Sequence, residues 1–304
     1  MTPPPSLLPL ASSWAVGFMA ADSLPVEPRT LLLVCAAVAV VAPLAAAGLS
    51  AVGLSRRRPR VLAVGAASVS LAAALLLSVA WSGTDGGAVE FGDRMGGGSL
   101  VFIDGITAAL LPYVAVVQLA ILLVAPRRSL EQDAVTRMLL GAAATLAVFC
   151  TAHPLALIAL WVVTALPTWW SARATPGGRP AARVYAISMV LAIGCMAVGA
   201  GMMLADPPWE RASGIVGMTG GWLVAVAVMI RKGIVPFHSW YPALFAGAPM
   251  STALAATMPQ VAAYTAVRFL IGHEDHGEGV AVELGTLAQF ALVDRKSTRL
   301  NSSH

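Results

Sequence analysis

Arg231-Lys232-Gly233-Ile234-Val235-Pro236-Phe237-His238-Ser239-Trp240-Tyr241-Pro242 is the stretch on which the reading of this chain turns. Fourteen residues without a charge, Gly217 to Ile230, lead into it. A helix built from that run meets two adjacent cations, and one cation at the centre of a spanning helix costs about 2.5–3.5 kcal/mol on the insertion scale. Two readings are open. Either the helix ends here and both side chains snorkel to the surface, or it is interrupted and they face an internal hydrated route. Pro236 removes a backbone donor and Gly233 loosens the turn before it. Lipid tolerates such a defect only where it is buried in protein or faces a water-filled cavity. Pro259, just before Gln260, is a second candidate break.

Outward from this stretch, hydrophobic residues make up 58% of the 304 positions and charged ones 11%, with a mean hydropathy of +0.79. A soluble domain carries roughly 25% charged residues, and here the apolar residues come in runs of about 20, enough to cross a bilayer. The sequence predicts an all-α polytopic membrane protein with about eight transmembrane helices: Leu31–Leu54, Val61–Ser82, Ile106–Ala125, Met138–Ala152, Leu155–Ala172, Val184–Ala205, Gly217–Val235 and Met250–Ile271. A ninth begins at about Val280 and is cut short. Ser99–Ile103 has strand-like composition and leads into Asp104 and Thr107, which suit a helix start.

Every second loop is basic, carrying Arg56, Arg57, Arg58 and Arg60, then Arg127, Arg128 and Arg137, then Arg173, Arg179 and Arg183. By the positive-inside rule the amino terminus lies outside a bacterial inner membrane. The net charge of +4 is therefore an orientation signal and not a nucleic-acid footprint. Cys35, Cys150 and Cys195 sit inside apolar runs without CxxC spacing. His273-Glu274-Asp275-His276 has a spacing that can hold a divalent ion but sits in an exposed loop, so no metal is expected. No dinucleotide, phosphate-loop or haem pattern appears, and no cofactor is expected.

The ends are read separately. Residues 1–28 form a Pro-rich leader that need not be translated natively, with Met19 as an alternative start. Residues 294–304, Asp294 to His304, match the in-frame translation of a common short-read sequencing adapter and are expected not to be natural. Residues 29–293 are then a partial membrane domain.

Two stretches carry a resemblance. The first joins Arg231–Pro242 to Gly247-Ala248-Pro249-Met250-Ser251-Thr252, Ala255-Ala256-Thr257-Met258 and Arg268-Phe269; the second is Asp104-Gly105-Ile106-Thr107. The chain resembles the antiporter-like membrane subunits of respiratory complex I, membrane-bound hydrogenases and multisubunit cation/proton antiporters, over about Val101 to Phe269. That resemblance implies two inverted repeats, each with a helix broken at mid-membrane, and a proton path using a glutamate on helix five and lysines on helices seven and eight. Val162 stands where the glutamate belongs, Arg231 where the first lysine falls with Lys232 one residue along, and Gln260 at about the second lysine. Arginine is effectively always charged, and valine and glutamine do not titrate, so the implied path is partly degraded.

The functional expectation is a membrane subunit of a proton- or cation-translocating complex, with Lys232 and His238 as relay groups and Arg231 as a fixed charge. It would be a non-redox subunit of an NADH-quinone oxidoreductase-like translocase, a hydrogenase or an antiporter. Its partners would be other membrane subunits, a peripheral soluble subunit and the lipid bilayer, with no nucleic acid. The competing expectation is a non-conducting anchor or scaffold, for example in an inorganic-carbon uptake complex.

Overall fold

The computed structural model describes residues 27–53, 58–84, 88–91, 99–126, 130–205, 215–258 and 260–271. The expectations for the leader, Pro259, the His273–His276 cluster, the ninth span and residues 294–304 lie outside the described residues.

Ten α-helices and one hairpin follow in order among those residues. They are α1 (Pro28–Ala51), α2 (Pro59–Ser82), β1 (Val89–Phe91), β2 (Val101–Ile103), α3 (Gly105–Val124), α4 (Gln132–Val148), α5 (Pro154–Ala174), α6 (Arg179–Ala205), α7 (Ile215–Lys232), α8 (Trp240–Gly247), α9 (Met250–Thr257) and α10 (Val261–Ala266). A π-helical turn, Val267–Ile271, continues α10. Five of these helices, α1, α2, α3, α5 and α6, are long and apolar enough to cross a membrane. Their outward faces carry exposed large apolar side chains such as Val41, Leu76, Leu123 and Val190, as a bundle solvated by lipid requires.

Three expected spans differ in their limits. The fourth begins at Gln132 and takes Asp133 and Arg137 into its first turns, so it is less apolar than the expected Met138–Ala152. The seventh stops at Lys232, short of Val235, and the eighth is divided between α9 and α10. The strand expected at Ser99–Ile103 is β2, and it has an antiparallel partner, β1, that alternation alone did not reveal: Val89 faces Ile103 and Phe91 faces Val101.

Two prolines inside helices explain how neighbouring helices lock. Pro43 in α1 has no amide hydrogen, so the Ala39 carbonyl loses its helical donor. The Ser70 hydroxyl of α2 donates to that carbonyl at 2.8 Å. Pro112 in α3 frees Ala108 in the same way, and Ser78 of α2 donates to it. An apolar medium makes each unpaired carbonyl expensive, so one face of α2 supplies the missing donors on both sides. The pair α6 and α7 is drawn together differently. A Cβ on Gly199 would lie 2.6 Å from the Gly220 carbonyl, and one on Gly220 would lie 2.7 Å from the Gly199 carbonyl. Backbones can approach this closely only through glycine.

One end of the bundle, called here the hairpin end, is tied by polar bonds. The Phe102 amide donates to the Cys150 carbonyl at 2.8 Å, and the Thr107 hydroxyl donates to the Phe149 carbonyl at 2.9 Å. The opposite end, called here the arginine end, carries Arg137, Arg173 and Arg179.

If Ser70 repairs the defect left by Pro43, then Ser70→Ala lowers stability by about 1–3 kcal/mol, the cost of an unsatisfied buried acceptor. In a Pro43→Ala background, where the helical donor is restored, the same change costs clearly less. Thermal unfolding of the four proteins in detergent measures the difference; equal losses in both backgrounds would refute the pairing.

Candidate functional site

The last turn of α7 is where the site begins. Gly233 adopts φ +69°, the left-handed conformation that glycine enters without a side-chain penalty. Its amide donates to Ile230 at 3.1 Å and the Ile234 amide reaches back to Met229 at 3.0 Å. This is a Schellman ending, with Gly233 in the residue position just past the helix. The Trp240 indole, 1% exposed, adds a bond to the Ile230 carbonyl at 2.7 Å. Helix α7 therefore stops before Pro236 is reached, and its terminal carbonyls find protein partners. The expected role of Gly233 changes accordingly: it closes the helix instead of loosening it. Pro236 lies in the turn beyond, between α7 and α8.

Arg231 leaves this end and points into the bundle. Its two terminal nitrogens donate to the Trp161 carbonyl at 3.1 Å and to the Thr164 hydroxyl. Its guanidinium lies 4.6 Å from the centre of the Trp161 ring. Trp161 is fully buried, pinned by an indole bond to Thr265 at 2.9 Å. Thr164 lies ten residues before the end of α5 at Ala174, about 15 Å along the axis at 1.5 Å per residue. The charge therefore meets α5 near its middle.

Lys232 turns to the other side and donates to the Gln260 side-chain oxygen. Gln260 sits in the interval between α9 and α10, so that interval and the end of α7 face each other across one polar bond. Arg231 and Lys232 line a small open cavity with Thr145, Thr164, Tyr185 and Thr257.

The remaining expected residues lie elsewhere. Val162 is 38% exposed on α5, while its neighbours Trp161 and Thr164 receive Arg231. His238 is exposed in the turn before α8 and lines neither of the cavities around Arg231. Thr164 and Thr145 were missed by the sequence reading. Thr164 lies one helical turn after Trp161, a spacing that becomes informative only once the inward face of α5 is known.

A second polar centre lies at the hairpin end. Asp104 caps α3, its carboxylate accepting from the Thr107 amide at 2.9 Å. The same carboxylate receives both terminal nitrogens of Arg268 at 2.8 and 2.9 Å. The Arg268 side chain is 6% exposed and lies 4.6 and 4.7 Å from the ring centres of Phe102 and Tyr264. Burial alone would raise the Asp104 carboxyl, but the bonds from Arg268 and Thr107 outweigh it and hold it below the usual carboxylate range. The sequence reading of Asp104 as a helix cap was right and incomplete, because a partner 164 residues away has no local signature. This pair fixes the far end of α10, and so the position of Gln260.

Such a bundle is helical, with one helix ended inside it and basic groups turned inward. Residues 183–291, which include α7 to α10, match the family described as NADH:quinone oxidoreductase/Mrp antiporter, TM. A 50-residue segment is 50% identical to the NADH-quinone oxidoreductase subunit N of Alkalilimnicola ehrlichii, covering 16% of this chain and 10% of that protein. The fold is similar to a chain of respiratory complex I from Thermus thermophilus with bound aureothin, at TM-score 0.62 and 20% identity, over 78% of this chain and 53% of that one. It is also similar to a chain of the Mrp complex from a Dietzia species, at TM-score 0.64 and 20% identity, over 78% and 48%. The chain thus spans about half the length of the solved chains it matches. The resemblance to the antiporter-like subunit family read from the sequence holds.

Because the Asp104 carboxyl is depressed in the folded chain, its stabilising effect is fully present above about pH 4, the unfolded value. It is lost as pH falls through the lower folded value. Asp104→Asn should cost about 3–5 kcal/mol at pH 7, as expected when one partner of a buried pair is removed. The gap to the unsubstituted protein should narrow below pH 4. Melting curves in detergent at pH 7 and pH 3 check this; a gap independent of pH would contradict it.

Proposed function

We propose that the chain is a membrane subunit of a proton- or cation-translocating complex, of the complex I, hydrogenase or antiporter kind, whose proton path in this half is partly degraded. One observation carries the reading: Arg231 and Lys232 are turned inward to neutral partners at mid-bundle, beside a cavity, when both could have reached the surface. Intramembrane cations are costly, and those that persist mark ion routes by default. In this reading α7 and α8 are the two parts of one transmembrane helix broken at mid-membrane, as in transporters built from inverted repeats.

Lys232 is the group able to exchange protons, and Gln260 relays to it only through hydrogen bonds. Arg231 acts as a fixed positive charge. His238, in the turn, would serve as a relay group between the pathway and the exposed side of the turn. Val162 and Gln260 replace groups that would titrate, which is the sense in which the path is degraded. Residues 29–293 form the translocating domain, the arginine end faces the interior of a bacterial cell, and the amino terminus lies outside. Other membrane subunits, and a peripheral soluble one, complete the machine.

The non-titrating residues at 162, 231 and 260 give specific support to a second reading, a non-conducting scaffold subunit. The two diverge in one experiment. The full-length protein in its complex is reconstituted in proteoliposomes, and coupling to a pH gradient is followed with a dye. Translocation requires Lys232→Ala to cut coupling about tenfold or more, the usual loss for a positioned proton-transfer group, with assembly intact. Unchanged coupling would leave the scaffold reading standing.

A further inference from the structure

The cavity beside Arg231 and Lys232 is not isolated. A second one shares Thr145, Thr164 and Ala255 with it and extends to Arg137, Ser171 and Gln118. Arg137 and Thr145 are eight residues apart on α4, so the connected space runs about 12 Å along that helix. Three cations line it: Arg137 towards the arginine end, Arg231 and Lys232 at depth.

What lines this space contains no carboxylate among the described residues. Arg231 bonds a carbonyl and a hydroxyl, Lys232 bonds an amide oxygen, and Arg137 donates to the Ser171 hydroxyl at 3.2 Å. Every polar partner is neutral. Nearby acids are committed or outside: Asp104 is taken by Arg268, while Glu131 and Asp133 are exposed. Like charges in a low-dielectric interior repel strongly and lack the counter-charge that buried ions need.

A second observation points to a ligand at the same place. Gln118, in the middle of α3, is 6% exposed and hydrogen-bonds no described residue. It lines this cavity and an adjoining one. An unpartnered amide buried at mid-helix keeps two N–H donors for an occupant. The Ser171 hydroxyl, accepting from Arg137, has a proton to give as well.

We infer that the connected cavities bind a small monovalent inorganic anion, drawn in by the shared positive field of Arg137 at one end and Arg231 with Lys232 at the other. The anion supplies the negative charge that the helices omit. It neutralises the cluster whether the subunit conducts protons or not, so the inference stands apart from the proposed translocation.

The Trp161 ring against Arg231 is a built-in reporter. The full-length protein in nanodiscs is titrated with iodide at constant ionic strength, with gluconate as the balancing anion, and tryptophan fluorescence is followed. A saturable quenching component is expected, and chloride should compete with it. Arg137→Gln and Arg231→Gln should each weaken the saturable component about tenfold, the scale on which one nearby charge acts in a low-dielectric interior. Arg231→Lys, which keeps the charge, should retain it. Arg137→Gln carries the test by itself if the Arg231 variant does not fold, because Arg137 lies away from the α7 ending. Linear quenching, equal in all variants, would overturn the proposal. So would a structure of the assembled protein with a carboxylate from another segment or subunit seated between Arg231 and Lys232.

Discussion

A helix in lipid cannot stop without donors for its last carbonyls. The ending of α7 meets that constraint with protein alone: the Gly233 and Ile234 amides and the Trp240 indole bond its final turn. Because the helix can end there, the chain turns back into α8 against α6, and the side chain of Arg231 enters the bundle. Without that ending Arg231 and Lys232 would simply continue a helix towards the surface. The site therefore depends on a backbone conformation that glycine adopts readily.

The same economy recurs across the bundle. Ser70 and Ser78 give α2 two hydroxyls where prolines in α1 and α3 remove amide donors. At the hairpin end, Tyr264 and Thr107 bond the carbonyls that close α4. Neutral polar groups thus stabilise these irregularities of the apolar frame. The exception is Arg268, whose charge is matched by Asp104 and flanked by two aromatic faces. Matched charge holds the frame at one end, and unmatched charge occupies its middle.

That contrast bears on function. A buried ion pair fixes geometry, because separating it strands a charge. A basic cluster bonded only to dipoles stores positive potential, and it responds to any negative charge that arrives. The interval between α9 and α10 places Gln260 against Lys232, so a neutral amide meets the Lys232 amine there.

Much of this was legible from residue order. The apolar runs located the membrane helices, because hydrocarbon thickness sets a minimum length for each. Gly233 and Pro236 marked the stretch where α7 ends, and Asp104 marked a helix start. Local sequence could not say that Gly233 ends the helix ahead of Pro236, since that turns on φ and on a Trp240 indole arriving from the next element. Nor could it say which way Arg231 points, or that Thr164 and not Val162 meets it, because an apolar helix surrounded by lipid on one side and protein on the other has little periodicity to tell its faces apart. Sequence determined that the chain crosses a membrane, since that follows from local composition. Tertiary packing alone decided the partner of each charge, because Asp104–Arg268 and Lys232–Gln260 join residues that are distant along the chain.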